Sequence, residues 1–323
     1  VTRVLVTGAA GFVGQWLLPA LATAYPGAEL FGLATDPVSA VRPRGVPAAV
    51  PTTWLIGDLR DDRYVQRVVE QTRPEVVIHL AAISHVPTAA ADPAMAWDVN
   101  VTATARLLHA LLAGHDAGAP LPRVLVVGSA EQYGRHESHG GTLAESAVQA
   151  PRTVYAATKA AQEVLALQQW RATGLSVIVA RSFNHSGAGQ PPRFLLPALV
   201  DRARSLVGAP DGTPMPVGNR TPVRDFLHVS DVVAAYISLC QQGTPGEAYN
   251  VASGTGWSVQ QVLDRILART NIRAIPTEDP ALVRPVDVPM LVGDPRKLQH
   301  ATGWRVTRSL DDIIDDLFHA ATY

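Results

Sequence analysis

The stretch Val4-Leu5-Val6-Thr7-Gly8-Ala9-Ala10-Gly11-Phe12-Val13-Gly14 decides the fold of this chain. An apolar run suited to a buried strand ends at Thr7, and a helical pattern begins by Phe12 and Val13. Between them the glycines recur every third residue rather than as G-x-G-x-x-G. Gly8 permits a tight exit from the strand, Gly11 lets the backbone approach a pyrophosphate, and Gly14 lets the helix lie close on the sheet. The helix N-terminus adds amide donors and a dipole that favours phosphate. This strand, turn and helix predict dinucleotide binding, against the alternative of an ordinary glycine-rich turn.

Further strand-like runs lie near Val4–Thr7, Glu29–Leu33, Thr53–Ile56, Val76–Leu80, Val124–Val127 and Val177–Ala180. Helical patterns alternate with them at Val13–Ala24, Arg63–Gln71, Asp98–Gly114 and Val154–Thr173. Asp98-Val99-Asn100 is expected to cap the third helix and Gly174 to end the fourth. The alternation predicts an α/β fold, a Rossmann-like doubly wound parallel sheet. After Arg181 the texture changes, with frequent Pro and Gly through Gly187–Gly218. A smaller C-terminal α/β lobe is expected there. The expected division is a dinucleotide-binding domain at 1–180, to which segments near 224–255 return, and a substrate lobe at 181–323. Val259–Arg269 and Leu310–Ala320 read as amphipathic helices. Val262, Ile266 and Leu267 form the buried face of the first, and Leu310, Ile313, Ile314 and Leu317 that of the second.

The 323 residues suffice for a large core, and 27 basic against 28 acidic residues show no bias towards nucleic acid or membrane. The single cysteine, Cys240, sits in an apolar setting and reads as a buried small hydrophobe in a reducing compartment. Neither a charged, apolar leader nor an apolar run long enough to span a bilayer is present. A cytoplasmic protein without a metal site is expected.

Chemistry is signalled by Tyr155-Ala156-Ala157-Thr158-Lys159, with Ser129 upstream. A Tyr and a Lys four apart share one helix face. The ammonium is expected to draw the phenol down towards the working pH, so that Tyr155 can move a proton at a sugar hydroxyl or carbonyl. Asp36 lies 22 residues beyond Gly14, where a carboxylate accepts both ribose hydroxyls, favouring NAD and repelling the 2′-phosphate of NADP. Arg42 and Arg44 could instead receive that phosphate, and a turn-capping role before Pro37 is a further alternative for Asp36. Asp58 with Leu59 follows the third strand and could meet adenine. His79-Leu80-Ala81-Ala82 follows the fourth, its small residues letting ribose and pyrophosphate lie near backbone.

Glycine turn, Asp58-Leu59, His79-Leu80-Ala81-Ala82, Asn100, Ser129, Tyr155 and Lys159 occur in the order of the extended short-chain dehydrogenases/reductases, and the chain resembles their nucleotide-sugar epimerase/dehydratase/reductase group over almost its whole length. The resemblance implies that Ser129 binds the reacting oxygen, Tyr155 moves its proton and Lys159 holds the nicotinamide ribose. The run Arg181-Ser182-Phe183-Asn184-His185-Ser186-Gly187-Ala188-Gly189-Gln190 resembles that of GDP-6-deoxy-4-keto-mannose reductases, with Ser182 and Ala188 in place of prolines. It implies NAD(P)H-dependent reduction of a GDP-sugar or another nucleotide-diphosphate sugar, with Ser84, His85, Asn184, Arg224 and Arg284 as substrate contacts. Arg224 with Asp225, and Arg284 with Asp287, could equally be structural ion pairs, and His185 and His228 packed histidines. Dehydratases of the group use a glutamate where Glu131 stands, preceded by a polar residue that Ala130 replaces. A GDP-mannose 4,6-dehydratase with Glu131 as base is therefore the alternative, followed by a 4-epimerase and a dinucleotide sensor. The group also implies a homodimer through a four-helix bundle, with Ala103, Leu107, Ala110, Leu111, Ala160, Val164 and Leu167 at the interface unless those faces pack on their own sheet.

Overall fold

The computed structural model describes residues 1–36, 44–135, 141–270, 273–283 and 288–320. The chain opens with β1 (Arg3–Thr7), α1 (Phe12–Ala24), β2 (Glu29–Ala34), β3 (Thr53–Ile56), α2 (Asp62–Thr72) and β4 (Val76–His79). Two short helices follow, α3 (Val86–Ala91) and α4 (Pro93–Trp97), then a π-helical turn at Asp98–Thr102 that leads into α5 (Ala103–Asp116). Next come β5 (Arg123–Val127), a tight turn at Ala130–Tyr133, α6 (Val154–Thr173), β6 (Ser176–Ser182), β7 (Asn184–Ser186) and α7 (Leu195–Ser205). The chain continues through β8 (Pro214–Val217), β9 (Val223–His228), α8 (Val229–Gln242), β10 (Ala248–Val251), β11 (Gly256–Ser258) and α9 (Val259–Leu267). It ends with β12 (Ile275–Glu278), β13 (Met290–Leu291), α10 (Arg296–Thr302) and α11 (Leu310–His319).

Seven parallel strands form the main sheet in the order β10-β6-β5-β4-β1-β2-β3. Its strands are apolar on both faces, as a sheet covered on both sides requires. Val4 and Val6 of β1 pack with α1 and α8 on one face, while Leu5 packs with α2, α5 and α6 on the other. The strand order reverses between β1 and β4, which opens a crevice at their carboxyl ends, where Thr7 lies beside His79. After β6 the chain builds a small sheet around β9, paired with β7, β11 and β13, and a parallel pair of β8 with β12. A third apolar cluster joins α7, α9 and α11 there. β10 and α8 belong to the main sheet and its covering layer. Cys240 is buried in that layer, and burial pushes its thiol up to about 12.

Three expectations change. Asp98–Asn100 does not start a helix, because α4 runs directly into the π-turn. Asn100 is buried instead, accepting from Ile83 N at 2.8 Å and donating to Thr158 Oγ1 at 2.9 Å. It ties the loop after β4 to α6. On α9 the buried face is Val262, Leu263 and Ile266, with Leu267 only partly covered, because the helix ends at Leu267. Ala103, Leu107, Ala110 and Leu111 are buried against their own sheet and α2, whereas Val164 of α6 is 65% exposed.

Candidate active site

The glycine turn forms as its residue types dictate. Gly8 has φ +67°, and a Cβ there would stand 2.8 Å from Ala81 N. A Cβ on Gly14 would collide with the carbonyl of Ala9, so the helix sits close on the turn that leaves β1. α1 opens at Gly11 with its first amides at the carboxyl edge of the sheet. Small residues, a helix N-terminus and a carboxylate at the end of β2 (Asp36, which accepts from Thr35 Oγ1 at 3.0 Å) fit a dinucleotide laid across the switch point.

A single cleft of about 1330 Å³ gathers the residues expected from sequence. Gly8, Gly11, Phe12, Val13, Gly14, Asp36, Asp58, Leu59, Leu80, Ala81 and Ala82 line it. So do Ser129, Glu131, Tyr155 and Lys159, together with Ser84, His85, Asn184 and Arg224. Arg42 and Arg284 lie outside the described residues, and Arg44 is exposed.

Thr153 caps α6 by accepting from Ala156 N at 3.1 Å, which presents Tyr155 and Lys159 from the first turns. Ser129 Oγ accepts from Glu131 N at 3.2 Å, and Ser129 N donates to Gln132 Oε1 at 2.7 Å, so the 129–133 turn is capped at both groups. Tyr155 shares the cleft with Ser129, whose side chain acts on the phenol. The expectation that Lys159 draws the phenol down is overturned. Burial pushes Tyr155 up to about 12, opposed by the Ser129 side chain and reinforced by the nearby charge of Glu131. The cause is that Lys159 Nζ points elsewhere, to Val127 O at 2.7 Å and Gln162 Oε1 at 2.9 Å. Burial also lowers Lys159 itself to about 7.

Behind Ser129 lies a buried polar layer. Gln132 Nε2 donates to Glu163 Oε2 at 2.8 Å, and Glu163 takes Arg181 Nε at 2.9 Å and Nη2 at 2.5 Å. Arg181 also donates to Tyr133 OH, which donates to Asn250 Oδ1 at 2.6 Å. On β9, Arg224 faces the cleft, while Asp225 faces away and accepts from Ser253 N, Ser253 Oγ and Gly254 N. His185 is stacked on Phe12, with Nδ1 2.9 Å from Phe183 O. His228 caps α8 and meets Asp316.

Sequence reading missed Arg193 and Arg202, which also line the cleft. Arg202 sits in the last turn of α7, a helix the Pro- and Gly-rich texture obscured. It also missed Arg60, which clamps Asp58 with Nη2 2.6 Å from its carboxylate and holds that carboxyl below its ordinary range.

The chain matches the family described as GDP-mannose 4,6 dehydratase over residues 5–317. It is 31% identical to the GDP-6-deoxy-D-mannose reductase of Pseudomonas aeruginosa, over 97% of this chain and 96% of that one. It is 30% identical to the GDP-6-deoxy-D-talose 4-dehydrogenase of Aggregatibacter actinomycetemcomitans, over 98% and 97% of the two chains. The solved structure of RMD from Pseudomonas aeruginosa complexed with NADPH superposes with a TM-score of 0.80 at 28% identity, covering 98% of both chains. With its glycine turn and its Ser, Tyr and Lys in one cleft, this chain belongs to the GDP-mannose 4,6-dehydratase family of extended short-chain dehydrogenases/reductases.

Proposed function

We propose that this protein is an NAD(P)H-dependent reductase of the 4-keto group of a GDP-6-deoxyhexose. One observation carries the reading: Ser129, Tyr155, Lys159 and the glycine turn share one cleft, in a chain collinear with a GDP-6-deoxy-D-mannose reductase. Gly8, Gly11 and the first turn of α1 hold the pyrophosphate, Asp36 the adenosine ribose, and Asp58, Leu59, Leu80, Ala81 and Ala82 flank the adenosine half. A reduced nicotinamide held by these residues would supply the hydride that C4 receives. Tyr155, kept protonated by burial, gives its phenolic proton to the carbonyl oxygen, so ketone becomes alcohol. Ser129 hydrogen-bonds the same oxygen as charge develops on it. Val127 and Gln162 take two of the Lys159 hydrogens, and the third serves the nicotinamide ribose. Asn184, Arg193, Arg202 and Arg224, with Ser84 and His85, face the nucleotide diphosphate and sugar; guanidinium groups suit phosphate.

The division of labour that goes with this reading is a dinucleotide domain at 1–180, completed by segments from 224–255, and a nucleotide-sugar lobe in the remainder. A homodimer through α5 and α6 accompanies it, built on the outward face that carries Val164 rather than on the buried face of α5.

A 4,6-dehydratase is the second reading, favoured by Glu131, which lines the cleft and whose charge reaches Tyr155. Against it, Ala130 is buried among Tyr133 and Leu143 and has no proton to give. The deciding assay supplies GDP-mannose alone, then GDP-4-keto-6-deoxymannose with NADH or NADPH, following absorbance at 340 nm and the products. Cofactor oxidation with the keto sugar only is the expected result. Conversion of GDP-mannose without net cofactor use would make the protein the dehydratase. Tyr155→Phe is expected to lose turnover by at least ~100-fold while cofactor affinity stays near wild type; normal turnover in that variant would sink the assignment.

A further inference from the structure

Lys159 is held by a buried chain of hydrogen bonds whose direction can be read donor by donor. Ala81 N donates to Thr7 Oγ1 at 3.2 Å, and Thr7 Oγ1 lies 2.7 Å from His79 Nδ1. His79 Nε2 lies 2.9 Å from Thr104 Oγ1. The one hydroxyl hydrogen of Thr104 goes to Asn100 O at 2.8 Å. His79 Nε2 must therefore carry a hydrogen and donate, which makes Nδ1 the acceptor of the Thr7 hydrogen. Gln162 Nε2 also donates to Thr104, at 2.8 Å. The Gln162 amide can then adopt only one orientation, with its carbonyl facing Lys159 Nζ. Burial, helped by the charge of Lys159, lowers His79 to about 3, so the imidazole stays neutral in that one tautomer. Thr7, His79, Thr104 and Gln162 are all fully or almost fully buried, and none of them lines the cleft.

We propose that Gln162, locked by Thr104, His79 and Thr7, is the positioning residue that aims the Lys159 ammonium and favours its charged form. The proposal rests on the role given to Lys159 above. Four elements meet in it: β1 and β4 supply Thr7 and His79, α5 supplies Thr104, and α6 supplies Gln162 with Lys159 itself. A carbonyl dipole aimed at an ammonium stabilises the charged state. Among the described residues, His79 from β4 feels the charge of Lys159, Tyr155 stands one turn before it on α6, and Glu131 from the turn after β5 lines the same cleft and acts on Tyr155; β5 itself offers the Val127 carbonyl. His79 and Tyr155, at about 3 and about 12, keep their protonation through the neutral range.

The test compares Thr104→Val, Gln162→Met and Gln162→Glu with the wild type. Turnover of GDP-4-keto-6-deoxymannose and the fluorescence-titrated Kd of NADH and NADPH are measured from pH 5.5 to 9.5. Thr104→Val and Gln162→Met are expected to lower kcat by ~10-fold and weaken dinucleotide binding several-fold, with KM for the sugar within about twofold. Activity that needs the ammonium is lost as pH rises through the Lys159 pKa. That limb moves to lower pH in Gln162→Met, which loses the carbonyl, and to higher pH in Gln162→Glu, which adds a negative charge. A folded Gln162→Met or Thr104→Val with wild-type kcat, Kd and pH limb overturns the proposal. So does a fall in melting temperature with an unmoved limb, which assigns these residues to packing alone. Should Gln162→Met not fold, the isosteric Thr104→Val decides between the same two outcomes. A wild type inert towards the keto sugar defeats the reductase reading, while the pH dependence of dinucleotide Kd still tests the positioning.

Discussion

Tyr155 and Lys159 show how burial moves two groups of one site in opposite senses, raising the phenol and lowering the ammonium. A phenol pushed up to about 12 is an acid at neutral pH, which suits delivery of a proton to a nascent alkoxide. The pairing of Tyr with Lys was visible in the sequence, but its electrostatic sense was not, since it depends on which acceptors the buried ammonium finds. Asp36 is a simpler case, because a carboxylate at the end of β2 acts locally. Asp36→Ala is expected to raise the kcat/KM ratio of NADPH over NADH by roughly 10-fold or more, the repulsion of a 2′-phosphate being removed. Steady-state kinetics with both cofactors measure it, and an unchanged ratio would exclude Asp36 as the discriminating residue. Thr104 and Gln162 escaped sequence reading, and His79 was read only as part of the run after the fourth strand, for a physical reason: each looks like an ordinary core-facing residue until folding brings together their donors and acceptors.

Among elements, α6 carries the most. Its cleft-facing side presents Tyr155 and Lys159, while Glu163 reaches back to Arg181 on β6 and to Gln132 beneath Ser129. Both partners of the ion pair are buried, with side chains 7% and 4% exposed. Removing one of them leaves a buried charge without its counterion, a loss of about 3–5 kcal/mol. Arg181→Met is therefore expected to lose that much stability in urea unfolding, and Glu163→Gln added to it is expected to restore a large part. No recovery in the double variant would show that the charge pair is not the source of the loss. Capping at Thr153 and the end at Gly174 made α6 legible from sequence, and Val154–Thr173 matches the helix. The region before α5 was not legible. Two short helices and a π-turn have no single period, so the helix read from Asp98 starts inside the π-turn and the two short helices before it went unread.

At the scale of the molecule, the doubly wound sheet followed from apolar runs and the glycine turn, since both reflect local sequence. The small sheet around β9 was beyond that reach, because short strands gain their identity from partners distant in the chain. Association of two copies is testable at this scale. Val164→Arg places a charge on the exposed face of α6 and is expected to convert a dimer to a monomer in sedimentation, with a wild-type monomer refuting the interface. The return of β10 to the main sheet has a further consequence in time. As the chain leaves the ribosome, β6 emerges roughly 70 residues before the strand that will cover its outer edge. Until Asn250 arrives, the Tyr133 hydroxyl lacks its acceptor, and the edge bearing Arg181 has an open row of peptide groups. The nascent protein is thus exposed to wrong strand pairing during that interval, and a synonymous codon change that slows synthesis between 182 and 251 would lengthen it.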